Sequence, residues 1–312
     1  MQGIEISRAY FEQYGRELFE SQFSGVLPFL AFGIAGSGSE CFGFDDEVSR
    51  DHDFEPGFCI FLPDEETVSR RDEFLLERAY AKLPKEFMGL KRSLVSPVGG
   101  NRRGVIRISD FLKDKTGTED GRLGISQWLS VPSSALAEAV NGEIFEDHFR
   151  EITRIRKELS FYPGDIMLKK LAGHLLMMGQ SGQYNYMRML AHGEAAAAQM
   201  AVFEFVKHAV SALFLLNGRY EPYYKWAFRA LRQLPLLSYE AELMEYLITS
   251  DNDQNAEEKQ KVMEGIAMDV IDVLKERDMS EADCQDLEKH AYSVNDRIHD
   301  PQIRNLHILA GI

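Results

Sequence analysis

Two short stretches of this 312-residue chain carry residue types and spacings that could do chemistry. The first is Gly36-Ser37-Gly38-Ser39, which follows the apolar run Leu30-Ala31-Phe32-Gly33-Ile34-Ala35. Its glycines allow close approach of backbone N–H groups to an anion, and its serines add hydroxyl donors. The second is Asp51-His52-Asp53, which comes after eleven intervening residues and runs into another apolar stretch, Phe58 to Leu62. In extended backbone, residues i and i+2 point the same way, so Asp51 and Asp53 are expected to present two carboxylates to one spot while His52 faces the other side. Paired carboxylates attract Mg²⁺, a cation that takes oxygen ligands and commonly completes its shell with phosphates. A phosphate-binding loop beside such a pair is what in-line phosphoryl or nucleotidyl transfer needs, because the metal offsets developing charge and aligns the attacking and leaving oxygens. Either stretch alone has a plainer explanation, a flexible turn or a solvated acidic loop.

At these residues the chain resembles the polymerase-β-type nucleotidyltransferase superfamily, whose hallmark is Gly-Ser, a spacer of about a dozen residues and then Asp-x-Asp between two strands. The wider run, from Gly-Ser-Gly-Ser-Glu through Gly43-Phe44-Asp45 to Ser49-Arg50-Asp51-His52-Asp53, is similar to a bacterial branch known only as a domain of unknown function. So is Tyr220-Glu221-Pro222-Tyr223-Tyr224-Lys225-Trp226. The resemblance implies that Asp51 and Asp53 hold Mg²⁺ and that Ser37, Gly38 and Ser39 bind the phosphates of a nucleotide, ATP being the expected co-substrate. It implies a third catalytic carboxylate on a later strand, for which Asp110, just past Val105-Ile106-Arg107-Ile108, is the available acid. It also implies a basic residue from a helical domain steadying the triphosphate. Lys225 is the candidate, with Arg229 one turn on and Arg232 along the same face. Aromatic packing with snorkelling cations explains this cluster as well.

Around these residues the apolar patterns at 30–35, 58–62 and 104–109 read as buried strands, and Ile4 to Phe23 as one amphipathic helix. Asp64 is placed as the N-cap of a helix reaching Leu83. After about residue 125 come long Ala-, Leu- and Met-rich helical stretches, 163–178, 194–216, 222–231, 239–248 and 255–276, separated by short Gly/Pro/Asn punctuation. One such break, Gly179 to Gly182, reads as an interhelical turn, and Glu40, Asp45, Asp46 and Glu47 read as surface acids. The expected fold is α+β: a small nucleotidyltransferase-type mixed sheet with flanking helices over residues 1–122, followed by an all-helical bundle over 123–312.

Composition narrows the partners. Thirty-five Lys+Arg against fifty Asp+Glu give a net charge of −15, which argues against duplex nucleic acid and, for a transferase, favours a small neutral or cationic acceptor. Thirteen acids and five bases lie between Asp251 and His290, a segment read as a solvated helical face. Three cysteines without paired spacing argue against disulfides or a Cys-based zinc site. With no signal-peptide pattern and no apolar run near the roughly 20 residues of a membrane span, a cytoplasmic protein is expected. The expected activity is transfer of a nucleoside monophosphate, AMP from ATP, to a hydroxyl of a small molecule or protein. The alternatives are a nucleotide-binding or sensing protein without transfer, and a helical interaction protein whose acidic segment holds a basic partner.

Overall fold

The computed structural model describes residues 2–47, 55–92 and 103–312. The chain forms two compact units, one made of residues 1–123 and 134–160, the other of 124–133 and 161–312.

In the first unit, helix α1 (Gly3–Tyr10) passes through a π-helical turn (Phe11–Gly15) into α2 (Arg16–Gln22), so the single amphipathic helix expected over 4–23 is present with one widened turn. Gly15 sits in that turn because a Cβ there would fall 2.7 Å from the Phe58 ring. The strands are β1 (Ala31–Ile34), β2 (Cys59–Leu62), the short pair β3 (Glu86–Phe87) and β4 (Leu90–Lys91), β5 (Gly104–Arg107) and β6 (Glu143–Asp147). Four of them form a mixed sheet in the order β5-β2-β1-β6, with β2 antiparallel to β1, β1 antiparallel to β6, and β2 parallel to β5. A parallel pair needs a crossover, and α3 (Arg70–Lys82) lies between β2 and β5 in the chain. Ser69, not Asp64, caps α3: its hydroxyl accepts from the Asp72 N–H at 3.2 Å. Asp64 instead closes the preceding turn by accepting from the Thr67 N–H.

The sheet packs on α1, α2 and α3 through a cluster of rings. Phe11 stacks on Phe32 at 4.8 Å, and Phe58 meets Phe11, Phe19 and Tyr80 edge-on. Each such pair adds about 0.5–1.5 kcal/mol beyond the area it buries. The Tyr80 hydroxyl accepts the Phe58 N–H at 3.0 Å, and burial pushes its pKa up. Helix α4 (Ile108–Thr116) follows β5.

The domain boundary expected at 122/123 is therefore not the one the chain uses. After α5 (Ile125–Ser130), which belongs to the second unit, α6 (Ser133–Val140) leads back into the first as β6, and α7 (Glu151–Glu158) follows. Strand β6 carries no sequence signal because it is half-exposed, with only Ile144 and Phe145 as apolar residues; its place is set by backbone pairing with β1. Gly142, at its entrance, has φ +66°, and a Cβ there would fall 2.0 Å from the Ile34 carbonyl oxygen. Gly142→Ala is expected to cost on the order of 2 kcal/mol or more, read as a lower urea midpoint with an unchanged slope. An unchanged midpoint would show that the β1–β6 junction is not so close.

The second unit holds α8 (Gly164–Met178), α9 (Tyr186–Ala191), α10 (Ala195–Leu216), α11 (Tyr224–Leu231), α12 (Glu240–Thr249), α13 (Ala256–Glu276), α14 (Leu287–Asp296) and α15 (Pro301–Arg304). Residues 179–185 do not break the chain direction as expected but continue α8 as a π-helical stretch into α9. The glycines serve close approach rather than a turn: a Cβ on Gly182 would lie 2.4 Å from the Phe205 ring. By length and composition α10 could cross a membrane, contrary to the expectation that no segment could, but 61% of its most apolar window is buried inside the protein.

Helices α8 and α10 are joined by an imidazole pair, half-buried His174 Nδ1 to buried His208 Nδ1 at 2.9 Å, and His208 Nε2 lies 3.2 Å from Glu204. Burial pushes both histidines below their ordinary pKa, His174 well below. A base held neutral in the fold but protonated in the open chain contributes stability that is present above the unfolded pKa of about 6.5 and is lost as pH falls below it. Thermal unfolding should therefore shift to lower temperature from pH 7 to pH 5, by up to about 1.4 kcal/mol per pH unit for each excluded proton, and the slope should flatten in H174Q. Equal slopes in the two proteins would count against the pair.

Candidate functional site

Strand β1 delivers the chain into the Gly36–Ser39 turn, and three side chains fix that turn. Asn141 holds Gly36 from both sides: its Oδ1 accepts the Gly36 N–H at 2.9 Å and its Nδ2 donates to the Gly36 carbonyl at 2.7 Å. Gly36 has φ +116°, where side chains are strained. Gly38 is required for another reason, since a Cβ there would lie 2.3–2.4 Å from the Glu40 carboxyl group. Ser39 opens a 3₁₀ turn (Ser39–Phe42) that Gly43 closes at φ +69°. Ser37 is exposed, Gly38 buried and Ser39 half-buried.

Glu40, expected to be a surface acid, is 5% exposed and pairs with Arg103 at 2.9 Å. The same guanidinium donates to the Ser7 hydroxyl at 2.7 Å and the Gly57 carbonyl at 2.8 Å. One buried cation thus ties α1, the Gly-Ser turn, the approach to β2 and the start of β5 together. Asp45, also expected on the surface, accepts the Gly3 N–H at 2.9 Å through Oδ2, while its Oδ1 is buried without a hydrogen-bond partner. Cys41 and Cys59 flank the turn from inside, and burial pushes both thiols up, Cys59 to about 11, so neither is a nucleophile at neutral pH.

Asp51, His52 and Asp53 lie outside the described residues. The register does place the strand that follows them: Cys59, the first residue of β2, is opposite Gly33 of β1 and Gly104 of β5. The Gly-Ser turn leaves the sheet at the end where β2 and β5 begin. Asp110 does not join it there. Because β5 runs parallel to β2, with Arg107 opposite Leu62, Asp110 follows the far end of the strand, roughly 10 Å or more along the sheet. It is exposed in the first turn of α4, where its charge suits the helix dipole. At that end Arg107 binds Glu73 at 2.6 Å and the Pro63 carbonyl at 2.7 Å.

Among the described residues no group of three or more His, Cys, Asp or Glu side chains is suited to a metal. Glu40 is committed to Arg103.

In the helical unit, Lys225 is exposed at the start of α11 with Nζ 4.9 Å from the Trp226 ring centre. Arg229 is half-buried one turn on, and Arg232 is bound by Glu242 and Glu245. Within this face, snorkelling and ion pairing account for Lys225 and Arg232. The acidic segment is partly neutralised in place, with Arg297 on Asp278 and Glu281 and Lys275 on Asp283.

Sequence reasoning misses Asn141 and Arg103 and reads Glu40 as a surface acid. Asn141 lies about a hundred residues from the turn it clamps, and Arg103 borders a stretch with no periodicity; neither offers a local signal.

The chain matches a family model described as a domain of unknown function, DUF4037, over residues 128–227, about a third of its length. No curated protein matches it. A solved structure, that of a nucleotidyltransferase-like protein from Exiguobacterium sibiricum 255-15, is similar at a TM-score of 0.37 and 10% identity over 91% of this chain and 80% of that one, a likeness too slight to carry function.

Proposed function

We propose that the protein is a nucleotidyltransferase that moves AMP from ATP to an acceptor hydroxyl. What carries this reading is the Gly36–Ser39 turn, pinned by Asn141 and the Glu40–Arg103 pair and leaving the sheet at the end where the strand after Asp51-His52-Asp53 begins. A turn held this way spends little entropy when an anion docks, so its N–H groups and the Ser37 and Ser39 hydroxyls suit the β- and γ-phosphates. Asp51 and Asp53 would hold Mg²⁺, which supplies charge neutralisation at the phosphates when bound. The acceptor hydroxyl attacks the α-phosphorus and gives up its proton to solvent, the bond to the bridging oxygen breaks, and pyrophosphate leaves with the electron pair. The test is incubation of the protein with labelled ATP, Mg²⁺ and panels of small hydroxylated acceptors and proteins; label should move to an acceptor and pyrophosphate should appear.

The position of Asp110 favours a second reading, a nucleotide-binding protein without transfer. Among the described residues, the acid that follows β5, Asp110, stands at the opposite end of the sheet from the turn, and residues 93–102, which precede β5 in the chain, contain no acid. Calorimetric binding of ATP with Mg²⁺, with no pyrophosphate released against any acceptor, would decide for it.

A further inference from the structure

The helical unit carries an open cavity of about 870 Å³, within the size range of small-molecule sites. Its walls come from the 125–133 segment, α8, α10, the 219–221 turn and residues 302–312. Leu129, Phe214, Leu306 and Ile312 give it an apolar lining. Besides Tyr162 and His174, three ionisable side chains line it: exposed Arg219, and Lys170 and Glu221, which are of opposite sign. Lys170 is 7% exposed; its Nζ donates to the carbonyls of Leu129 at 3.0 Å and Gly311 at 2.6 Å and lies 5.3 Å from the Tyr162 ring centre. An ammonium has three N–H donors, so one remains for a ligand. Glu221 accepts from the Ser211 hydroxyl at 2.5 Å, and its own N–H is bound by Ser133 Oγ. Neither charge has an ion-pair partner among the described residues, and the two do not pair with each other. Burial presses both toward neutrality, lowering Lys170 to about 8 and raising Glu221.

His174 adds an acceptor to this wall. If Glu204 accepts from His208 Nε2–H, then His208 Nδ1 must accept from His174 Nδ1–H, which leaves His174 Nε2 with its lone pair.

We propose that this cavity binds a zwitterion with an apolar side chain, an α-amino acid or short peptide, its carboxylate on Lys170, its ammonium on Glu221 and its side chain against Phe214 and Leu306. Separated charges without an ion-pair partner on an apolar wall are costly to keep, even with Lys207 favouring the Glu221 carboxylate, and a molecule carrying both signs satisfies each while a singly charged one leaves the other unpaired. The site lies wholly within the helical unit and does not depend on the proposed transfer.

The test is calorimetric titration of the full chain, without nucleotide or Mg²⁺, with L-phenylalanine and L-leucine against 3-phenylpropionate and phenethylamine. The amino acids should bind at least about tenfold more tightly than either singly charged analogue. E221Q, which keeps an acceptor for Ser211, and K170M should each weaken amino-acid binding by about tenfold or more. Because K170M also removes a structural tie, L306W, which fills the cavity and leaves both charges, should abolish binding with the far-ultraviolet circular dichroism unchanged. No heat with either amino acid, or equal binding of the analogues, would overturn the proposal.

Discussion

Asp51→Asn and Asp53→Asn should each lower Mg²⁺-dependent transfer of labelled AMP by roughly a thousandfold, the equivalent of about 4 kcal/mol in the transition state. Asn keeps the size of the side chain and one oxygen but removes the charge that holds a hard cation. If the two carboxylates serve the chemistry alone, the unfolding free energy should stay within about 0.5 kcal/mol of the parent. Activity equal to that of the parent in either variant would remove the paired-carboxylate mechanism. A parallel loss of stability would mean that the residues build the fold rather than the chemistry. The comparison also separates the two functional readings: in a protein that only binds nucleotide, the same variants should weaken ATP binding in Mg²⁺ and change nothing without it.

The Glu40–Arg103 pair is expected to dominate the stability of the first unit. Both side chains are under a tenth exposed, and the guanidinium is held by three oxygen acceptors. Removing one partner leaves the other charged, buried and unpaired, which typically costs about 3–5 kcal/mol. R103M should therefore lower the unfolding free energy by that amount, and E40M by nearly as much, since a thioether cannot answer the buried cation. The double variant R103M/E40M should recover much of the loss, because no isolated charge remains. If the three variants simply added, the pair would be contributing packing rather than charge. Nucleotide affinity should fall along with stability in R103M, since Gly38 rests on the Glu40 carboxyl group and would lose its support.

The three strands β1, β2 and β5 and the long helices of the second unit were legible because their apolar side chains are buried with the periods that sequence displays. Phe32, Ile60 and Leu62 face a ring cluster, and Val202, Phe205, Ala209 and Leu213 line one stripe of α10. Strand β6 was not legible: its partner is a backbone edge, and backbone hydrogen bonding leaves no mark on residue type. The π-helical stretch at 179–185 was read as a turn for a related reason. Glycine signals that something must come close, but not whether that thing is the chain's own reversal or the ring of Phe205. The candidate site was half legible. The Gly-Ser turn and the carboxylate pair stand out as a pattern, whereas Asn141, Glu40 and Arg103, which make the turn rigid, are joined only by the fold. Asp110 illustrates the converse error: adjacency to a strand says nothing of which end of the sheet it occupies until the strand direction is known.

Because β6 is drawn from beyond the first segment of the helical unit, the ribosome must deliver at least 147 residues before the sheet can close, and a fragment cut at residue 122 would leave one side of β1 with bare amide and carbonyl groups. Such an open margin invites strand exchange between chains, so expression of the isolated front half should yield aggregates rather than a usable domain.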